Sequence, residues 1–178
     1  MWWFSAHGAL TVRGPMRRRL LGAALGLAPL LLTGCGFHLR GRADLPFDSL
    51  FVGVAENSAF GAELKRSIEA TSNTRIVDRP ERAQAIFSVM AEVREKTILS
   101  LNSAGRVREF QLTYRLTFRV HDAAGKDFIP LNDIVLLRDF SFNDTQVLAK
   151  EAEEGLLYRD MQSDMVQQVL RRLTAVKV

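Results

Sequence analysis

Cysteine is nearly absent from this chain: Cys35 is the single one among 178 residues. No internal disulfide can form, so the fold must rest on its own apolar core. Histidine is almost as scarce, with His7 ahead of Cys35 and only His38 and His121 after it. A zinc site needs close ligand pairs such as H-x-x-x-H, and the sequence has none, so no metal site is expected. Nucleophilic catalysis needs a serine or thiol beside a base, and no such set can be read from these residues, so no catalytic residue is assigned. Gly34, Gly36 and Gly41 have neither the spacing nor the preceding strand of a dinucleotide fingerprint. A bilayer-length apolar run is missing as well. Leu20 to Leu32 spans 13 residues and is broken by Gly22, Gly26 and Pro29, whereas a spanning helix needs about 20. Finally, there is no true charge surplus. The formal net charge of +4 comes from Arg13, Arg17, Arg18 and Arg19, which leaves 20 of the 24 Lys and Arg after Cys35 to balance all 20 Asp and Glu. Without clustered excess cations, nucleic acid is excluded as a partner.

What the chain does have begins with Met16-Arg17-Arg18-Arg19, the apolar run, and then Leu32-Thr33-Gly34-Cys35. A basic patch, a short apolar segment and small residues at a cut site make a secretory signal peptide. Leu-Thr-Gly-Cys resembles a bacterial lipobox. The thiol of Cys35 is then the lipidation site, carrying an S-diacylglycerol, with an N-acyl chain on the new amino terminus. One acyl chain holds a protein only marginally at a membrane, while several anchor it stably. Residues 1–34 are read as the removed signal region, with translation starting at Met16, and residues 35–46 as the lipidated terminus and tether. Residues 47–178 are read as one domain, since the 144 residues from Cys35 onward match the usual domain size.

Leu50 to Val54 reads as a short buried strand, and Asn57 and Ser58 as caps for a helix with Phe60, Leu64 and Ile68 on one face. Thr74 to Val77 is a second short strand, stopped before Pro80. The clearest alternation is Val107 to Val120. Phe110, Leu112, Tyr114, Leu116, Phe118 and Val120 face one way, with Glu109, Gln111, Thr113, Arg115, Thr117 and Arg119 opposite. In the run before it, Ile86 to Leu99, Phe87, Val89, Ala91 and Val93 alternate with Ser88, Met90, Glu92 and Arg94. Asn102 to Gly105 and Asp122 to Gly125 supply turns, and Ile134 to Phe142 completes an antiparallel meander. Asn143-Asp144-Thr145 matches a glycosylation sequon but reads better as the cap of a final helix. In that helix Leu157, Met161, Met165, Val169 and Leu173 recur every four residues. Two one-sided helices and a sheet with one apolar face predict an α/β (α+β) two-layer sandwich, both helices on one face of a mainly antiparallel mixed sheet.

The residues after the lipid site are more specific. Cys35-Gly36-Phe37-His38-Leu39-Arg40-Gly41 resembles the mature start of the LptE family, the lipopolysaccharide-assembly lipoproteins of the Gram-negative outer membrane. Further matches are Glu109-Phe110-Gln111-Leu112, Arg138-Asp139-Phe140-Ser141-Phe142, and Leu148-Ala149-Lys150 leading into an acid-rich helix start. Gly36, rather than Asp, resembles lipoproteins released to the outer membrane. The long polar tail that some members carry is not matched. The resemblance implies a periplasmic-side, lipid-anchored protein that plugs the LptD outer-membrane β-barrel, helps it assemble and assists lipopolysaccharide transport and insertion, with no cofactor besides the covalent lipid. Lys150 corresponds to a basic residue linked in the family to lipopolysaccharide binding. Ser103 falls where the family carries a second one, so Arg106 and Arg108, which the meander places at the same end, are the stand-in candidates.

The bottom-up reading supplies a barrel-facing surface in Thr113, Arg115 and Arg119, whose polar sheet face suits a water-lined lumen. Two other classes stay open from sequence. One is a membrane-tethered periplasmic lipid carrier with an apolar pocket and no barrel partner; the other is a lipoprotein hydrolase, which the two remaining histidines make the weakest.

Overall fold

The computed structural model describes residues 45–177; the signal region, Cys35, His38 and most of the tether lie outside the described residues. Strand β1 (Ser49–Gly53) leads into helix α1 (Ala59–Thr71). Ser58 is the cap, its side chain accepting from the Gly61 N–H, which satisfies one of the free donors at a helix start. Gly61 is required there, because a Cβ would lie 2.2 Å from Val54 Cγ2. Strand β2 (Arg75–Val77) follows, and the buried Thr74 hydroxyl just before it donates to the Phe47 carbonyl. Three long strands come next, β3 (Ala85–Leu101), β4 (Val107–His121) and β5 (Asp127–Ser141). A 3-10 turn at Asp144–Gln146 opens the last helix, α2 (Val147–Thr174).

The sheet order is β2-β1-β3-β4-β5. β1 runs parallel to both of its neighbours, while β3, β4 and β5 form the antiparallel meander expected from the turns. Gly105 has a φ of +73°, a left-handed geometry that the β3–β4 turn needs and glycine adopts freely. Both helices lie on one face, as the two one-sided stripes require. Phe60, Leu64 and Ile68 of α1 meet Met161, Met165, Val166, Val169, Leu170 and Leu173 of α2 over Phe87, Leu112, Tyr114, Leu116 and Phe118 in one continuous core.

Several boundaries differ from expectation. Asn143 caps the 3-10 turn, accepting from the Thr145 N–H, and α2 itself begins only at Val147. β5 begins at Asp127, well before Ile134, and tolerates Pro130 because a proline's missing donor costs little on an edge strand. The largest correction concerns β3. A bulge between Val89 and Ala91 inserts one residue and inverts the phase from Ala91 to Ile98, until a second irregularity at Ser100 resets it. Phe87 and Val89 lie opposite Val120 and Phe118 on the helix side, as expected. Ala91 and Val93, however, pair with Thr117 and Arg115 on the outer face, while Glu92, Arg94 and Lys96 pair with Leu116, Tyr114 and Leu112 beneath the helices.

β5 is an edge strand. The Phe142 N–H donates to the Arg108 carbonyl, which fixes the even-numbered residues of this stretch as those bonded to β4. By antiparallel alternation the backbone groups of Asp133, Val135, Leu137 and Asp139 then turn outward. Two of those carbonyls accept from guanidiniums, Asp133 from Arg172 at 3.2 Å and Leu137 from Arg138 at 3.1 Å.

Candidate functional site

Two surfaces gather the candidate residues, and the meander sets both. On the outer face, polar side chains neutralise one another across strands. Ser88 pairs with His121, Arg119 with Asp127, Thr117 with Asp133, Gln111 with Asp139 and Ser100 with Glu109. The central rungs differ. Arg115 stands between Val93 and Val135, and Thr113 between Glu95 and Leu137. Val93, Val135 and Leu137 are all exposed, and Arg115 has no ion pair among the described residues. Of the barrel-facing candidates, Arg119 is therefore already engaged, whereas Arg115 is a free cation flanked by apolar groups. That composition, an arginine with apolar neighbours on both sides, is what partner-binding centres favour. Sequence alternation located the arginines but not their apolar flanks, because the bulge that turns Val93 outward leaves no mark of its own.

The Ser88–His121 pair was also unread. His121 Nδ1 lies 2.7 Å from the Asp122 carbonyl, which can only accept, so Nε2 takes the Ser88 hydroxyl proton at 3.0 Å. A backbone carbonyl, rather than a carboxylate, orients the ring. The arrangement joins two strand ends across the sheet. Among the described residues no group of three or more His, Cys, Asp or Glu could hold a metal.

The second surface is the end of the sheet bearing the β3–β4 turn and the β5–α2 connection. Arg106 reaches across to Asp144 at 3.4 Å, and Lys150 lies 3.2 Å from the Ser141 hydroxyl and 2.8 Å from Glu153. Arg108 is exposed beside them, its carbonyl holding Phe142. Exposed apolar residues rim the same end: Ile98, Leu99, Leu101, Val147 and Leu148. Cations beside bare apolar surface suit an amphiphile with anionic head groups.

Between sheet and helices runs a polar seam that the sequence reading missed. Glu92 accepts from the Tyr114 hydroxyl at 2.8 Å, Arg94 donates to Gln162 at 2.9 Å and lies over the rings of Tyr114 and Tyr158, and Lys96 bonds Glu154 at 2.5 Å. Burial, outweighing the Arg94 hydrogen bond and reinforced by Glu92, pushes the Tyr114 phenol well above its ordinary value; burial raises Tyr158 as well. The spacing is geometric. Two residues of strand advance about 6.6 Å and four of helix about 6 Å, so Lys96 meets helix position 154 while Arg94, two residues back, meets 158 and 162. That two-against-four register is the signal by which the seam could have been found.

A family model described as "LptE: Lipopolysaccharide-assembly" matches residues 47–173. The chain belongs to the LptE family. The LPS-assembly lipoprotein LptE of Pectobacterium atrosepticum is 30% identical over 165 residues, covering 90% of this chain and 88% of that protein. Its counterpart in Yersinia enterocolitica is 32% identical, covering 90% and 78%. Among solved structures, lipoprotein B from Nitrosomonas europaea superposes with a TM-score of 0.69 at 42% identity, over 79% of this chain and 91% of that one. Rare lipoprotein B from Shewanella oneidensis shares the fold, with a TM-score of 0.63 at 22% identity over 71% and 94%. The LptE match covers all of β1 to β5 and all but the last residue of α2, so both surfaces lie within it. No helix of the described residues is long and apolar enough to cross a membrane.

Proposed function

We propose that this chain is a non-catalytic outer-membrane lipoprotein, acylated at Cys35, that seats its bare sheet face inside the LptD β-barrel, assists barrel assembly and takes part in lipopolysaccharide transport to the cell surface. The observation that carries the reading is Arg115, a cation without an ion pair among the described residues, flanked by exposed Val93 and Val135 with Leu137 on the next rung, on a sheet face that no described helix covers. Barrel interiors are polar, and an arginine among apolar groups gives such a wall both a charge to pair and a surface to dry. The opposite choice, a carrier with acyl chains inside the domain, finds no support, since Tyr114, Phe60, Phe87, Phe118, Met161 and Met165 fill that interior. At the hairpin end, Lys150, Arg106 and Arg108 are the lipopolysaccharide-binding groups of this proposal.

Detergent extraction of outer membranes tests it. The acylated chain is expected to co-purify with a large β-barrel, and Arg115→Glu with Val135→Asp is expected to release it while leaving urea unfolding nearly unchanged, because both side chains are exposed. Recovery of the wild-type chain free of any barrel, or no label at Cys35 after feeding radioactive palmitate, sinks the proposal.

A further inference from the structure

The first ten residues of α2, Val147–Leu156, behave unlike the rest of that helix. None is buried, and its three large apolar side chains, Val147, Leu148 and Leu156, all face solvent. Packing onto the core starts only with Leu157 and Tyr158 and becomes complete at Met161. Among the described residues, two side-chain contacts tie this segment to the sheet: Lys150 to Ser141 at 3.2 Å and Glu154 to Lys96 at 2.5 Å. Gly155 stands at the junction, where an added Cβ would meet nothing. A glycine in a helix interior with no packing reason weakens the helix at that point. A cleft of about 390 Å³ opens below, lined by Lys96, Glu151, Glu154, Gly155 and Tyr158.

What lies under the segment is an aromatic floor. Lys96 Nζ sits 4.3 Å above the Phe110 ring and 5.7 Å from that of Phe140. Phe110 stacks on Phe140 at 5.8 Å and meets Phe142 edge-on at 5.2 Å. Ile98 pairs with Phe110 in register and is exposed. The floor thus continues into the apolar rim that carries Arg106 and Arg108.

We propose that Lys96 is a further phosphate-binding residue, kept latched by Glu154 under the Val147–Leu156 strap, and that the phosphate of an amphiphilic lipid opens the strap by taking Lys96 from that carboxylate. A phosphate carries up to twice the charge of a carboxylate and three acceptor oxygens, so it competes well for an ammonium whose side chain is a third exposed. Once the strap lifts at Gly155, acyl chains replace it on Phe110 and Phe140 and extend onto the already exposed Ile98. The inference rests on the lipopolysaccharide reading of this end, and adds to it a binding residue and a gate.

Hydrogen exchange of the full mature chain tests the gate, with lipopolysaccharide, the same lipopolysaccharide after dephosphorylation, and inorganic phosphate as three separate probes. Intact lipopolysaccharide is expected to speed exchange across residues 147–156, and the other two to leave it unchanged. Without any lipid, Glu154→Gln is expected to speed exchange there, and Gly155→Ala to slow it about fivefold. Glu154→Gln is also expected to bind lipopolysaccharide about two- to fivefold more tightly, the range set by the worth of a partly exposed ion pair. If the wild type binds lipopolysaccharide while residues 147–156 exchange no faster, the latch is overturned and the binding surface stands. If the wild type does not bind, both fall. Opening by inorganic phosphate alone overturns the lipid as the source of the phosphate.

Discussion

Removing the Tyr114 hydroxyl tests whether the polar seam stabilises the fold. Tyr114 is fully buried, and its hydroxyl donates to Glu92 at 2.8 Å while Arg94 approaches the same oxygen at 3.4 Å. Tyr114→Phe keeps the ring, so the loss is the hydroxyl's bond to Glu92 together with the longer one it accepts from Arg94. A bond to a charged group contributes about 1.5–3 kcal/mol. Glu92 keeps 27% of its side chain exposed and retains Arg94 at 3.6 Å, so water and the guanidinium recover part of that. The expected cost is at the low end, about 1.5 kcal/mol. Urea unfolding measures it, and a double-mutant cycle with Glu92→Ala is expected to return a coupling of about 1 kcal/mol.

The phenol also sets a pH dependence. Its folded pKa lies above the ordinary value of 10.0, so the folded chain holds a proton that the unfolded chain releases. Its contribution is complete below about pH 10 and shrinks as pH rises further, by up to about 1.4 kcal/mol per pH unit for one proton. Tyr158, raised in the same direction, adds to that slope, so Tyr114→Phe is expected to flatten it in part. A loss under about 0.3 kcal/mol, strict additivity with Glu92→Ala, or an unchanged slope above pH 10 would refute the reasoning.

Gly61→Ala is expected to destabilise by about 1–3 kcal/mol, since its methyl would collide with Val54 Cγ2; a neutral result in urea would mean that α1 can shift away from β1. Met165→Ala, at a fully buried position between helices and sheet, is expected to cost about 2–5 kcal/mol in the same assay, and a cost below 1 kcal/mol would contradict the tight core. Lys150→Glu with Arg106→Glu is expected to weaken lipopolysaccharide binding in a pull-down. The Arg106 change should cost under about 1 kcal/mol, since its ion pair is exposed, whereas Lys150 is mostly covered and also holds Ser141, so urea unfolding of each single variant separates lost binding from a loosened helix start. Unchanged binding would leave this end without its proposed role.

The sequence carried the parts of the fold that obey one period. β4 alternates without interruption, and the Met161-Met165-Val169-Leu173 stripe repeats at the helical interval, so the sheet's core face and the helix covering it were both legible. β3 was legible only up to Val89. Its bulge depends on how the strand pairs with β4, and the apolar residues beyond it, Ala91 and Val93, mimic a core face while lying outside. β5 was read from Ile134 only, whereas it begins at Asp127 and runs through Pro130, which an edge strand tolerates. Chain direction was enough to bring Arg106 and Arg108 to the end that holds Lys150. Lys96 escaped notice because its position beneath α2 follows from the same unreadable bulge.

The guanidiniums of Arg138 and Arg172 occupy two rungs of the β5 margin, at Leu137 and Asp133. Another copy adding itself alongside would first have to displace both, and would regain nothing until it had done so. On the proposed function one broad surface stays undressed until the partner arrives, and such a protein is most vulnerable to growing sideways into ribbons. Here two carbonyls of the margin are already held by the chain's own arginines, which hinders that growth.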